Sequence, residues 1–275
     1  MRRQAIRRFV RAHRITARML GELRVERMIR NARASDLRRC MELVRKGSVF
    51  IDVGASVGDF CLAACRRIGP SGLVLALEAN PAVYQELVMS TRGARVAALN
   101  LAASDHSGWA TLQVPVDRNG SPMAARSSLE HRADDASMPC VRVRTVRLDD
   151  LVSASPAVSA IKIDVEGHEL KVLKGTEETL ARDRPALVVE IEARHLVDHE
   201  MDDVIEWMSS RGYDAHGLDG ADVIPWSDFD VFENQTRWLS PEAPRVSWRA
   251  PRTSTTSSSR RGASRGNPRN LCALS

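Results

Sequence analysis

The stretch Val49-Phe50-Ile51-Asp52-Val53-Gly54-Ala55-Ser56-Val57-Gly58-Asp59-Phe60, "VFIDVGASVGDF", joins an apolar run to two glycines four positions apart. A short apolar run ended by glycine predicts a strand buried on both faces of a sheet. The glycines predict a tight strand-to-helix loop in which the backbone comes close to a ligand, with free N–H groups at the helix start facing it. The helix itself is predicted through Phe60, Cys61, Ala64 and Ile68. Glycines in such a turn also serve the turn alone, so the loop needs a partner before it identifies a ligand.

That partner is Glu78. It closes a second apolar run, "LVLALE", 24 positions after Gly54. An acid at about this offset from a glycine loop is placed to meet ribose hydroxyls. The two glycines lack the three-glycine GxGxxG spacing of dinucleotide binders. Glu78 favours a ribose with both hydroxyls free, which NAD and S-adenosylmethionine both offer. The missing third glycine disfavours a pyrophosphate packed on the helix, and Asp52, Gly54 and Gly58 can instead face a methionine moiety and its sulfonium charge.

Outward from this unit, strands and helices alternate. Asn80-Pro81 predicts a helix start, with Asn as cap and Pro in the first turn. The helix covers Ala82 to Met89, and a third strand follows around "RVAALNLA". "WATLQVPV" (Trp109 to Val116) and "CVRVRTVRL" (Cys140 to Leu148) alternate apolar and polar residues like half-exposed antiparallel strands. Residues 117–139 between them are too many for a tight hairpin and predict a mobile cover. "SAIKIDVEG" and "ALVVEIE" return to the buried type, followed by helices through Leu170, Val172, Leu173 and Leu180 and through Val204, Ile205 and Met208. The pattern predicts an α/β domain with a doubly wound, mostly parallel sheet and helices on both faces.

The 275 residues carry a net charge of +5, unevenly spread. Residues 1–46 hold 14 arginines and one lysine against four acids, and residues 241–275 hold seven arginines against Glu242. The body between them has 30 acidic and 18 basic residues. Three regions follow: a basic helical extension at 1–46, a domain at 47–240, and a Ser/Arg-rich tail at 241–275 with no apolar periodicity, expected to be disordered. The basic extension suits weak contact with an anionic membrane surface; nucleic acid is disfavoured because aromatic residues do not interleave with the arginines. No apolar run reaches the length of a membrane span and no secretory pattern opens the chain, so the expected location is the cytoplasm, with membrane-peripheral attachment as the variant. The five cysteines form no CxxC pair and are expected to be small buried thiols.

"VFIDVGASVGDF", "ALEANP", "LAASDHSG", "RSSL", "IKIDVEGHELKVLKG" and "ALVVEIE", in this order, resemble the FkbM family of S-adenosylmethionine-dependent methyltransferases. The resemblance runs from about Val49 to Tyr213 and is most specific between Lys162 and Gly175. It implies a class I methyltransferase (Rossmann-like) fold with a seven-stranded sheet, one strand antiparallel near its edge. It also implies S-adenosylmethionine as cofactor and methyl transfer to oxygen on a small-molecule, sugar or lipid-linked acceptor. Carried over by position, Asp52, Gly54, Ala55, Ser56 and Gly58 form the cofactor loop, Glu78 binds the ribose, and Ala103, Ser104 and Asp105 lie near the adenine. One departure is visible: Glu78 is followed by Ala79, where the family usually has proline.

Methyl transfer from a sulfonium is an in-line displacement, and a hydroxyl acceptor must also lose its proton, for which a placed base is worth ~10²–10⁴-fold. Ligands of such sheets lie beyond the carboxyl ends of the strands. "AIKID" therefore brings Asp164, Glu166 and His168 to the mouth, with His168 or Asp164 as the proton acceptor and Glu166 as the orienting group. The competing readings are a helix-capping Glu166 and a solvated first-turn His168. Asp164, Glu166 and Glu190 could hold a divalent ion, but no metal-type spacing requires one and none is expected. Ser127 and Ser128 in the cover are candidate contacts to acceptor or cofactor. The rival functions are an NAD-linked oxidoreductase and a catalytically silent nucleotide-binding module of the same fold.

Overall fold

The computed structural model describes residues 19, 20, 22, 23, 25–27, 34–117, 119–123, 126–130, 138–191, 201–219, 222–225 and 245–249. Its centre is the strand of the opening stretch, β1 (Val49–Val53), buried along its whole length. Strands β2 (Leu73–Leu77) and β7 (Val158–Ile163) flank it in parallel, followed outward by β3 (Val96–Leu99) on one side and β8 (Ala186–Glu190) on the other. Beyond β8 lie β11 (Arg245–Arg249), β9 (Asp214–Asp219) and β10 (Asp222–Pro225), giving the order β10-β9-β11-β8-β7-β1-β2-β3. β11 runs antiparallel to both β8 and β9. The sheet thus has eight described strands where seven were expected, the extra one being β10, a hairpin partner of β9.

Successive residues of β1 feed two cores, because side chains along a strand alternate between faces. Ile51 and Val53 pack with helices α4 (Leu148–Val152), α5 (Glu169–Lys174), α6 (Glu177–Asp183) and α7 (Met201–Ser209). Phe50 packs with α1 (Ala34–Leu43), α2 (Asp59–Ile68) and α3 (Pro81–Ser90). Each fully buried side chain of this size contributes about 1.5–3 kcal/mol relative to exposure. α3 starts as expected: Asn80 Oδ1 accepts the Ala82 N–H at 3.0 Å, and Pro81 fills the first helical position.

The two alternating segments form β5 (Gly108–Gln113) and β6 (Cys140–Val146), an antiparallel pair that joins the short β4 (Ala102–Ala103) in a separate three-stranded sheet. Leu112 and Val143 are buried on one face, and Trp109, Arg142 and Arg144 stand exposed on the other.

Three expectations are corrected. The tail does not begin at residue 241: "RVSWR" is β11, seated between β8 and β9, because Val246 and Trp248 alternate with polar neighbours inside an Arg/Ser-rich context that hides the pattern. The domain therefore reaches at least Arg249. The N-terminal segment is not wholly an extension, since Val25 and Leu37 are buried against Leu62 and Ala63 and Cys40 lies in the α1–α3 core. Among the cysteines, Cys40 and Cys61 are buried thiols, but Cys140 is exposed on the outer face of β6. The expected membrane contact of residues 1–46 rests largely on residues outside those described. Among the described residues, no helix is long and apolar enough to cross a membrane.

Candidate active site

The carboxyl ends of β1, β2 and β7 open onto one cavity with about 790 Å³ of empty space, its mouth included. The loop after β1 supplies Gly54 and Ser56, the end of β2 supplies Glu78 and Ala79, and the loop after β7 supplies Asp164, Val165, Glu166 and His168. Leu101, Ala102, Ala103 and Leu112 form a third side, and Ser127 and Leu129 from the segment between β5 and β6 complete the wall.

Glu78 is tied down at both oxygens. Oε2 accepts the Ser56 N–H at 2.9 Å and Oε1 accepts the Asn80 N–H at 2.8 Å. Burial pushes its carboxyl above the usual range, against the two backbone hydrogen bonds that favour the charge.

Both loop glycines are required by the protein's own packing. Gly54 has φ +72°, and a Cβ there would sit 1.8 Å from the Asp164 carbonyl oxygen. It lines the cavity, but its lack of a side chain answers the protein's own backbone, pressed against it from the end of β7. Gly58, at φ +89°, does not line the cavity; a Cβ would strike Thr91 and Leu87 of the neighbouring helix and turn.

Asp52 lies beneath the loop rather than in the cavity and is 1% exposed. Cys61 Sγ donates to its Oδ2 at 3.1 Å, while Oδ1 makes no hydrogen bond and faces Lys162 Nζ at 3.8 Å. Burial raises its pKa, and the Lys162 charge opposes that rise. Ala55 is buried and also absent from the lining.

Lys162 is a buried charge beneath the cavity that sequence reasoning passed over. Its ammonium is buried, donates to Asp164 Oδ2 at 3.0 Å, and lies 4.9 Å from the centre of the Phe60 ring. Burial would lower its pKa, but the charges of Asp164, Asp52 and Glu190 raise it above the ordinary lysine value. The available signal was a lysine inside an otherwise unbroken apolar strand, "SAIKI".

The loop after β7 is held in a sparsely populated shape, with Glu166 at φ +56° and Gly167 at φ +105°. Glu169 holds it: the fully buried carboxylate accepts the Gly167 N–H at 3.0 Å through Oε1, while Oε2 has no hydrogen bond. Burial pushes this carboxyl up to about 7. Glu169 is also the first residue of α5.

His168 is not the solvated residue of the competing reading; it is 5% exposed. Its Nε2 stands 2.9 Å from Ser104 Oγ, and its Nδ1 stands 2.6 Å from Glu130 Oε1. Glu130 also accepts from Lys171 Nζ at 2.9 Å. Burial works against the Glu130 charge, but hydrogen bonds from His168 and Lys171 outweigh it and hold the carboxyl down to about 2.

Of the three residues expected near an adenine, Ala103 lines the cavity. Ser104 lies behind it on His168, and Asp105 turns outward to His106 Nδ1 at 2.7 Å while accepting from Ser104 Oγ at 3.1 Å. In the segment expected as a cover, Asn80 Nδ2 donates to Ser127 Oγ at 3.0 Å and Ser128 Oγ donates to the Glu166 carbonyl at 2.6 Å. The segment therefore bridges the loops after β2 and β7.

A family model described as "Methyltransferase FkbM domain" matches residues 52–215. Among curated proteins, the hexuronic acid methyltransferase AglP of Haloferax volcanii is 30% identical over 149 residues, which is 52% of this chain and 56% of that one. The 31-O-demethyl-FK506 methyltransferase FkbM of Streptomyces tacrolimicus is 29% identical over 203 residues, 64% of this chain and 76% of that one. Among solved structures, methyltransferase FkbM from Methylobacillus flagellatus KT superposes with a TM-score of 0.46 at 18% identity, covering 75% of this chain and 44% of that one. The chain spans about half the length of the archaeal relative and less than half of the last protein.

Proposed function

The chain belongs to the FkbM family of methyltransferases, and we propose that it transfers the methyl group of S-adenosylmethionine to a hydroxyl oxygen of a small-molecule, sugar or lipid-linked acceptor. The observation that carries this reading is a convergence: one cavity is lined both by Gly54, Ser56 and Glu78 and by Asp164, Glu166 and His168. Of the two relatives, one is named for a demethylated oxygen of FK506, and the other for a hexuronic acid, a sugar that offers both hydroxyls and a carboxyl.

The residues at the ends of β1 and β2 fit the cofactor. A carboxylate oxygen has two lone pairs, and each Glu78 oxygen spends one on a backbone N–H, leaving one for a ribose hydroxyl. Three carboxylates, Glu78, Asp164 and Glu166, line the cavity and suit a ligand with a positive sulfonium. When bound, the cofactor supplies an electrophilic methyl carbon. Ala103, Leu101 and Leu112 offer an apolar surface for a purine beyond the end of β3.

On the acceptor side, His168 would take the proton of the acceptor hydroxyl, while the bound cofactor would supply the methyl group. Its Nε2 lies 2.9 Å from Ser104 Oγ, whose single hydroxyl proton serves either that nitrogen or Asp105 Oδ1, so the acceptor hydroxyl has to displace Ser104 to reach the ring. Apo hydrogen bonds of this kind commonly rearrange when substrate binds. Asp164, fixed by Lys162, and Glu166 orient the acceptor's hydroxyls.

Calorimetric titration of the full chain with S-adenosylhomocysteine and with NAD tests the cofactor. Binding of the first alone is expected, and binding of NAD alone overturns the reading. A panel of hydroxylated sugars and macrocycles incubated with radiolabelled S-adenosylmethionine then tests transfer. Label on an ether oxygen is expected, and label confined to nitrogen or to carboxyl esters would overturn the oxygen-acceptor assignment.

A further inference from the structure

Glu130 lies outside both strand-end loops, on the segment between β5 and β6, and none of the cofactor or acceptor roles above uses it. Its side chain is nonetheless only 9% exposed and reaches 2.6 Å from His168 Nδ1. An ionised carboxylate only accepts hydrogen bonds, so this contact requires the proton of His168 to sit on Nδ1. In the neutral ring Nε2 then carries the lone pair, and it faces Ser104 Oγ at 2.9 Å. A base whose second nitrogen is held by a third group is the general arrangement by which enzymes orient an imidazole.

We infer that Glu130 is a positioning residue of the transfer site, holding the proton on Nδ1 and the ring plane of His168 so that Nε2, which meets Ser104 Oγ at 2.9 Å, is the nitrogen left to accept a proton. The inference rests on the reading of His168 as proton acceptor. Its geometry is reinforced from two sides. Lys171 Nζ holds the same Glu130 oxygen at 2.9 Å, and the segment carrying Glu130 is pinned by Ser128 Oγ on the Glu166 carbonyl and by paired backbone hydrogen bonds between Ser128 and Gln113. Because Ser127 and Leu129 of this segment also line the cavity, one element both walls the site and sets its base.

Proton–nitrogen correlation spectra of the full chain at mildly alkaline pH report the tautomer of each of its seven histidines, and His168→Gln identifies the His168 signals by their loss. The wild type is expected to carry the His168 proton on Nδ1. Glu130→Gln keeps an accepting oxygen and should keep that pattern. Glu130→Ala should shift the signal to the Nε2-protonated form that free imidazole prefers. Should the alanine variant fail to fold, Glu130→Asp, one methylene short of Nδ1, should show the same shift. A wild-type ring protonated on Nε2, or an Ala or Asp variant that retains the wild-type signal, overturns the inference. Titration of the same proteins with S-adenosylhomocysteine keeps the two ideas apart: a wild type that binds none refutes the methyl-transfer reading, while the spectra still decide the role of Glu130.

Discussion

Lys162 Nζ stands 3.0 Å from the Asp164 carboxylate and 3.8 Å from that of Asp52, so one buried ammonium joins the end of β1 to the loop after β7. The strands make this contact inevitable: Asp52 and Lys162 are directly paired in the parallel register of β1 and β7, and Asp164 follows two residues later on the same face. Removing one member of a buried pair leaves the others uncompensated, at a cost of about 3–5 kcal/mol. Lys162→Met is therefore expected to lower the melting temperature by roughly 10 °C. Thermal denaturation checks this, and an unchanged midpoint would show that the ammonium is not holding the cluster.

Glu78→Ala should weaken S-adenosylhomocysteine binding by about 1–3 kcal/mol through lost hydrogen bonds to a charged group. The Ser56 and Asn80 N–H groups also lose their acceptor, so the loop after β1 should loosen at the same time. Calorimetry on wild type and variant gives the ratio of affinities, and equal affinities would remove Glu78 from the ribose site.

His168→Ala should behave differently, lowering turnover by ~10²–10⁴-fold while cofactor affinity stays close to that of the wild type. Single-turnover methyl transfer measured beside cofactor titration separates the two effects. A variant that binds cofactor poorly and turns over what it binds at full rate would make His168 a structural residue.

Gly54→Ala places a methyl group 1.8 Å from the Asp164 carbonyl oxygen at a backbone angle of φ +72°. The conformation alone costs about 1–2 kcal/mol for a residue with a side chain, and the clash adds to it by forcing β1 and β7 apart at their ends. Lower thermal stability together with loss of cofactor binding is expected. Wild-type behaviour in both measurements would mean that the loop can move aside freely.

Glu169 gives the fold a pH dependence of predictable sign. Its carboxyl is pushed by burial to about 7, above the ordinary glutamate value of 4.5. The folded state then binds more protons than the unfolded chain between these values, so this group's stabilising contribution is complete below about 4.5 and is lost as pH rises through about 7. The shift corresponds to on the order of 3 kcal/mol. Denaturant titrations across this range should show that slope in the wild type and lack it in Glu169→Gln; identical profiles would reject the assignment.

Much of the architecture could be read along the chain. The unbroken apolar runs of β1, β2, β7 and β8 and the Asn80-Pro81 helix start are local signals, each set by neighbours a few residues away. The alternating residues of β5 and β6 likewise announced a sheet with one wet face. β11 escaped because its five residues are too few to stand out from an Arg/Ser-rich surrounding, and only pairing with β8 and β9 gives them a structure.

For the site, the sequence by itself determined which loops would converge, since Gly54, Glu78 and Asp164 each end a parallel strand and parallel strands end on one side of a sheet. It could not assign what each residue does there. That Gly54 yields to the Asp164 carbonyl, that Gly58 serves helix packing, and that Asp52 lies under the loop are facts of contacts between segments more than 25 residues apart. The same holds for Lys162 and above all Glu130, which carries no motif and acquires meaning only where its carboxylate meets His168, 38 positions away. Local periodicity encodes which face a residue turns to the core, but a charge finds its partner only after the chain has closed, and only the tertiary structure could decide that.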